Sequence, residues 1–188
     1  MIVRTPRLVL RRWTDDDVAP YAALCADAEV MRYVGDGSTM THEEAVAQIE
    51  RFEQGFESHG YGLWAVQTAD SGAFIGFAGL SQPLFLPEIL PAVEVGWRFA
   101  REYWGQGLAT ETGRAALRHG FDTVGLERIV GIAHPDNAAS LGAMRRLGMT
   151  LDRETTHPTL GVPLRVLAIT RPQHDAAGWA PSSPLGSS

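Results

Sequence analysis

The sequence contains no lysine: all sixteen of its basic residues are arginine. A Walker A phosphate loop needs the lysine of its GK[ST] end, and a pyridoxal-phosphate enzyme needs a Schiff-base lysine, so both chemistries are excluded. There is one cysteine, Cys25. It forbids an intramolecular disulfide and a cysteine-based zinc site, and it fits a reducing cytoplasm. Its position in the first expected helix suits a core side chain rather than a nucleophile. No apolar stretch approaches the ~20 residues of a membrane helix. The opening MIVRTPRLVLRRW is broken by Arg4, Arg7 and Arg11, so a signal peptide is not expected. A net charge of −6 argues against wholesale attraction to nucleic acid or to an anionic membrane. HEEAV (His42 to Val46) lacks the second histidine of the HExxH zinc pattern, and no metal is expected.

What is present suits a globular chain: 188 residues, 45% apolar and 20% charged, with no internal repeat. One domain is expected over residues 1–171. A flexible tail, rich in Pro, Ser, Gly and Ala, is expected over 172–188. RLVLRRW (Arg7 to Trp13) reads as the first strand, and a helix should open within Thr14 to Asp17. Thr41 and Glu44 form a capping-box pattern, after which Ala45, Ile49, Phe52 and Phe56 share one helical face. Gly62 to Thr68 and Ala73 to Leu80 read as a hairpin, and Ala92 to Phe99 as the next strand. A helix is expected from Leu108 to His119, with Ala109, Gly113, Ala116, Leu117 and Phe121 on its apolar side and Glu111, Arg114 and Arg118 on its wet side. Arg128 to Ala133 is a strand and Ala138 to Leu147 a helix ended by Gly148. Met149 to Glu154 and Pro163 to Thr170 close the order as a strand pair. The sum is an α+β domain with one mixed, mostly antiparallel central sheet flanked by helices.

The costly feature is GQG, Gly105 to Gly107, just ahead of a helix. Glycine near a helix costs about 1 kcal/mol relative to alanine. Between a strand and a helix, a glycine-rich turn exposes several backbone N–H groups to one side, and the helix N-terminus adds roughly half a positive charge. Such a turn is suited to phosphate. The dinucleotide fingerprint GxGxxG fails because position 110 is Thr110 and because Ala100 to Trp104 separate the glycines from the strand. A tight turn with close helix packing is the structural alternative.

The surroundings carry a resemblance. VEVGWRFAREYWGQGLATE (Val93 to Glu111) is similar, almost position by position, to the central strand, loop and helix of the acetyl-CoA-binding GNAT superfamily. HPDNAASLGAMRRLGM (His134 to Met149) resembles its second signature, and TPRLVLRRWTDDD (Thr5 to Asp17) its N-terminal strand and helix start. The combination resembles the branch of ribosomal-protein N-terminal acetyltransferases, over about Thr5 to Thr170. One departure is Glu102, where the family's loop often carries Gln or Arg three residues before the first glycine.

The resemblance implies acetyl transfer from acetyl-CoA to a primary amine, either a protein N-terminus or a small molecule, by direct attack. It also implies that the central strand splays from Arg128 to Ala133, leaving a gap for the pantetheine arm. The coenzyme-binding set is then Trp97, Arg98 and Phe99 on the strand, Trp104, Gly105, Gln106, Gly107, Leu108 and Ala109 at the loop, and Asn137 and Arg146 on the later helix. A backbone N–H around Trp97 to Phe99 would meet the oxyanion. Glu94 leads as catalytic base: period-2 alternation puts it on one face with Gly96 and Arg98, while Val93, Val95 and Trp97 take the other. Partial burial would raise its pKa toward working pH. The alternative is a structural carboxylate paired with an arginine such as Arg98, and Glu154 and His157 are rival bases. Ser140 is the candidate catalytic donor to the leaving thiolate, and Asn137 doubles as a helix N-cap. His134, before Pro135, reads as a structural turn residue. The acceptor site is expected between Tyr33 to Met40 and the Thr155 to Val162 turn, lined by aromatics such as Tyr33, Phe85 and Trp97. A catalytically idle acyl-CoA binding or sensing module is the second function class. The oligomeric state is open, a homodimer included.

Overall fold

In the computed structural model, which describes residues 2–178, Thr41 caps its helix as the spacing predicts. Its hydroxyl accepts the Glu44 N–H, and the Glu44 carboxylate accepts the Thr41 N–H. Helix α3 then runs His42–His59 and ends on left-handed Gly60. Before it stand β1 (Val3–Arg4), β2 (Leu8–Arg11), α1 (Val18–Cys25) and the single turn α2 (Ala28–Met31). After it come β3 (Leu63–Thr68), β4 (Phe74–Ser81), β5 (Val93–Phe99), α4 (Leu108–Arg118), β6 (Arg128–Ala133), α5 (Ala138–Arg146), β7 (Thr150–Thr156), β8 (Pro163–Thr170) and α6 (Arg171–Ala176). A π-helical segment, His119–Val124, continues α4.

The eight strands form one sheet in the order β1-β2-β3-β4-β5-β6-β8-β7. Every pair is antiparallel except β5–β6. Alternation along β3 divides the core. Trp64 and Val66 pack on the face covered by α4, with Val95, Phe99, Ala116 and Leu117. Leu63 and Ala65 pack on the opposite face with Trp13, Tyr21, Cys25 and Ile49 from the α1–α3 layer. Period-2 side chains on a sheet covered on both faces produce this division.

The expected tail begins later than residue 172. Residues 171–176 form α6, with Pro172 in its first turn and a capping box from Thr170 to Gln173. His174 is buried with its ring 4.7 Å from that of Phe121. Arg171 donates to the carbonyls of Phe121 and Leu126. The fold therefore reaches at least Gly178, and the rest of the expected tail lies outside the described residues.

Glu111 corrects a second expectation. Placed on the wet side of its helix, it is instead tied to the turn between β1 and β2. Its carboxylate accepts from the Thr5 hydroxyl at 2.6 Å, the Arg7 N–H at 3.0 Å and Arg7 Nε at 2.7 Å. Burial alone would raise its pKa, but these hydrogen bonds outweigh burial and hold the carboxyl below its ordinary range.

Candidate active site

The β5–β6 pair separates almost as soon as it forms. Its register holds only Val93 with Ile129 and Glu94 with Val130. β5 continues to Phe99 still paired with β4, and β6 continues to Ala133 still paired with β8. A wedge-shaped gap thus opens between two otherwise complete half-sheets, with Glu94 at its apex. Main-chain groups alternate sides along a strand. Because Ala100 donates to Ile75 on β4, Trp97 and Phe99 direct their N–H groups toward the gap. The Phe99 carbonyl is already taken by the Trp104 indole at 2.7 Å.

The loop after β5 is built for exposed amides. Gly105 and Gly107 have φ of 73° and 77°, a left-handed conformation that L side chains rarely adopt. An added Cβ would meet nothing within 4 Å at Gly105 and only the Arg7 guanidinium, at 3.9 Å, at Gly107. The glycines are therefore needed for the turn and for the open space above it, not to avoid a neighbouring element. Gln106 clips the turn shut, its side chain donating to the Glu102 carbonyl at 2.9 Å and its own carbonyl accepting from Arg7. Leu108 is buried and Ala109 packs against the core, which fixes the start of α4 under the loop. Glu102 itself is exposed.

At the far end of the gap, Asn137 caps α5: its Oδ1 accepts the Ser140 N–H at 3.1 Å. Ser140 is half-buried in the first turn. α5 is drawn against α4 at Gly113, where a Cβ would stand 2.6 Å from Leu147 and 3.3 Å from Trp97. Arg145 and Arg146 part company: Arg146 donates to Thr110 on α4 at 3.3 Å and joins Gly107 and Arg7 along a groove of about 580 Å³. Arg145 faces the outer β7–β8 side with Glu154 and Arg165.

On the opposite face, beneath α3 and the segment after α2, lies a cavity of about 820 Å³. Glu94, Gly96 and Arg98 line it, so the Arg98 side chain, expected in the coenzyme-binding set, faces the acceptor side instead; the walls include Tyr33 and Val162 from the two segments where the acceptor was expected, together with Phe85. Trp97 also borders it, although its ring packs toward Gly113. A Cβ on Gly96 would meet nothing within 4 Å, so the floor between Glu94 and Arg98 is open. Burial pushes the Glu94 carboxyl up to about 8, with the Ile132 backbone N–H pulling weakly the other way.

Three expectations about titrating groups resolve here. Glu94 is not paired with Arg98, which instead donates to the Cys25 sulfur at 3.3 Å and lies over the Phe77 ring at 5.1 Å. Glu154 is exposed and bound to Arg165 at 2.8 Å, outside the cavity. His157 does line the cavity, stacked on Phe85, but its Nδ1 accepts N–H groups from Thr159 and Leu160. Taking a proton there would break both bonds. His134, expected to be structural, accepts the Asp136 N–H and stacks on Tyr33 at 5.4 Å, forming part of the cavity wall. Long-range pairing of a turn histidine with a helix-end tyrosine leaves no local sequence signal. No helix of the described residues is long and apolar enough to cross a membrane, and none of their His, Cys, Asp and Glu side chains form a cluster able to hold a metal ion.

Residues 7–150 match the family model described as an acetyltransferase (GNAT) domain. The uncharacterized N-acetyltransferase YoaA of Bacillus subtilis (strain 168) is 29% identical over 147 residues, 78% of this chain and 81% of that protein. The uncharacterized protein YkkB of the same strain is 32% identical over 147 residues, covering 77% and 83%. Among solved structures, the acetyltransferase from Agrobacterium tumefaciens str. C58 superposes with a TM-score of 0.77 at 24% identity, covering 91% of this chain and 95% of that one. RimL, a ribosomal L7/L12 alpha-N-protein acetyltransferase solved in complex with coenzyme A, superposes with a TM-score of 0.71 at 17% identity, covering 90% and 98%.

Proposed function

Since the chain belongs to the GNAT acetyltransferase family, we propose that it moves the acetyl group of acetyl-CoA directly onto a primary amine seated in the cavity beneath Glu94. One observation carries the reading: the gap between β5 and β6 meets that cavity at Glu94. The idle binding module is the weaker reading, because binding alone has no use for a carboxyl without a cationic partner placed where gap and cavity join.

The residues present fit the coenzyme. The open, left-handed turn at Gly105 and Gly107 would hold the diphosphate through the amides of Trp104 to Leu108, with Gln106 keeping the turn closed. Arg146 is close enough to that turn to add charge, and the Trp97 and Phe99 N–H groups offer an unpaired strand edge to an extended arm. Asn137 orders the α5 end of the gap. Acetyl-CoA supplies an activated acyl carbon and a leaving thiolate. Glu94, once ionised, takes a proton from the bound ammonium, which frees the nitrogen lone pair for attack on the acyl carbon. Ser140 donates a hydrogen bond to the thiolate, for which a modest donor suffices because a thiol has a pKa near ~8.5.

Gly107→Ala is the direct test of the anchor. A left-handed alanine costs about 1 kcal/mol, and a turn that relaxes to avoid that cost turns its amides away. Calorimetric titration should show acetyl-CoA affinity about tenfold weaker, with thermal stability nearly unchanged. Unchanged affinity would remove the loop from the coenzyme site.

A further inference from the structure

The cavity beneath Glu94 has an unusual charge balance for an acidic protein. Glu94 is the only carboxylate on its lining, against the two guanidinium groups of Arg51 and Arg98. Neither arginine forms an ion pair among the described residues. Arg98 is half-buried, and its neighbours are neutral: the Cys25 sulfur, the Tyr21 hydroxyl at 3.5 Å and the face of Phe77. Burial pushes the Tyr21 phenol well above its ordinary range, so it stays neutral beside Arg98. A guanidinium withdrawn from water without a counter-ion is costly, and interiors resolve that cost with a carboxylate or phosphate. Here the fold provides none.

The spacing adds a direction. Glu94 and Arg98 stand four residues apart on one face of β5, about 13 Å along the strand, with the open floor of Gly96 between them. The strand thus lays out a proton acceptor, a free stretch and a cation in line.

Resting on the transferase reading, we propose that the acceptor is an amino carboxylate, whose amine lies at Glu94 and whose carboxylate binds Arg98 and Arg51. A bidentate guanidinium suits a carboxylate, and the empty counter-ion position of Arg98 is filled by the substrate. A diamine or polyamine meets two like charges in the same place and is rejected.

The test uses the full-length protein with saturating acetyl-CoA. Glycine, β-alanine, γ-aminobutyrate and ε-aminocaproate are each compared with their carboxamides, and cadaverine serves as the dication. Thiol release gives kcat/KM. Calorimetry of the same compounds against the coenzyme A complex gives binding without turnover. For at least one chain length the carboxylate should exceed its amide by about 10–100-fold in kcat/KM, with a matching gap in affinity, and cadaverine should fall below both. In Arg98→Gln and Arg51→Gln the gap should shrink to a few-fold, through a much larger loss by the carboxylate than by its amide. Arg51 is exposed on α3, so its variant remains informative if Arg98→Gln fails to fold. Cadaverine turned over faster than every carboxylate, or a gap that survives in Arg51→Gln and in any folded Arg98→Gln, overturns the proposal. If no amine releases thiol yet the calorimetric preference for carboxylate persists, the transferase reading fails while the anion site stands. Absence of that preference sinks the site whatever the turnover.

Discussion

Glu94→Gln should lower kcat by about 10²–10⁴-fold, the range for removing a general base, while leaving acetyl-CoA affinity within about threefold. The pH dependence separates this role from a structural one. With the carboxyl held up to about 8, its basic form is a minority at pH 7. The wild-type kcat/KM should therefore rise about tenfold per pH unit up to about 8 and then level, and the variant should lose that limb. Stability should move the opposite way. The folded state binds a proton that the unfolded chain releases near the ordinary value of 4.5, so wild-type stability falls as pH rises from 4.5 to about 8. At pH 7 that penalty approaches ~3 kcal/mol, from 1.36 kcal/mol per unit over the gap. Glutamine carries no such penalty, so the variant should melt higher at pH 7, with the difference vanishing below about pH 4. Unchanged kcat, or a weakened coenzyme complex, would deny Glu94 the role of base.

Asp17→Ala should destabilise the fold by about 3–5 kcal/mol, the cost of stranding one member of a buried ion pair. The Asp17 side chain is 3% exposed and takes both Arg11 Nη atoms, at 2.6 and 2.8 Å, together with the Thr14 N–H and hydroxyl. Burial would raise its pKa, but Arg11 and Thr14 together hold it below 3.8. The stabilisation is present above the unfolded value and is lost as pH falls through the lower folded one. Chemical denaturation at pH 7 should show a reduced midpoint with an unchanged slope, and the gap to wild type should narrow toward pH 2. The effect should reach the cavity, because Asp17 anchors the start of α1, and α1 carries Tyr21 and Cys25, which seat Arg98. A midpoint within the equivalent of 1 kcal/mol of wild type would show that the pair is not needed to hold that layer.

Elements with a full period and a chemical boundary were legible in the sequence. The bounds Arg128–Ala133 and Pro163–Thr170 match the strands found, and α3 begins where its capping box places it. β1 and α2 are too short, at two and four residues, to show a period. α6 carried a signal, since Thr170 and Gln173 have capping-box spacing. Tail-like composition outweighed it, although that composition belongs to the residues beyond. The glycine loop and the face shared by Glu94, Gly96 and Arg98 follow from local rules and needed no tertiary contact. The Arg7–Glu111 clamp joins residues 104 positions apart, and the partners of Arg98 lie on α1, so neither leaves a local trace. Glu94 was legible as an inward-facing carboxyl. The burial that sets its acidity was not.

The early parting of β5 from β6 has a consequence for how the molecule guards itself. Sheets usually keep unsatisfied backbone at their rims, where charge or a covering loop discourages stray pairing. Here the equivalent of a rim is folded into the middle of the molecule, where β5 and β6 part beside α4 and α5. Whatever lies along the seam must bring polar groups of its own to complete those bonds, so the exposed backbone favours entrants that carry amides.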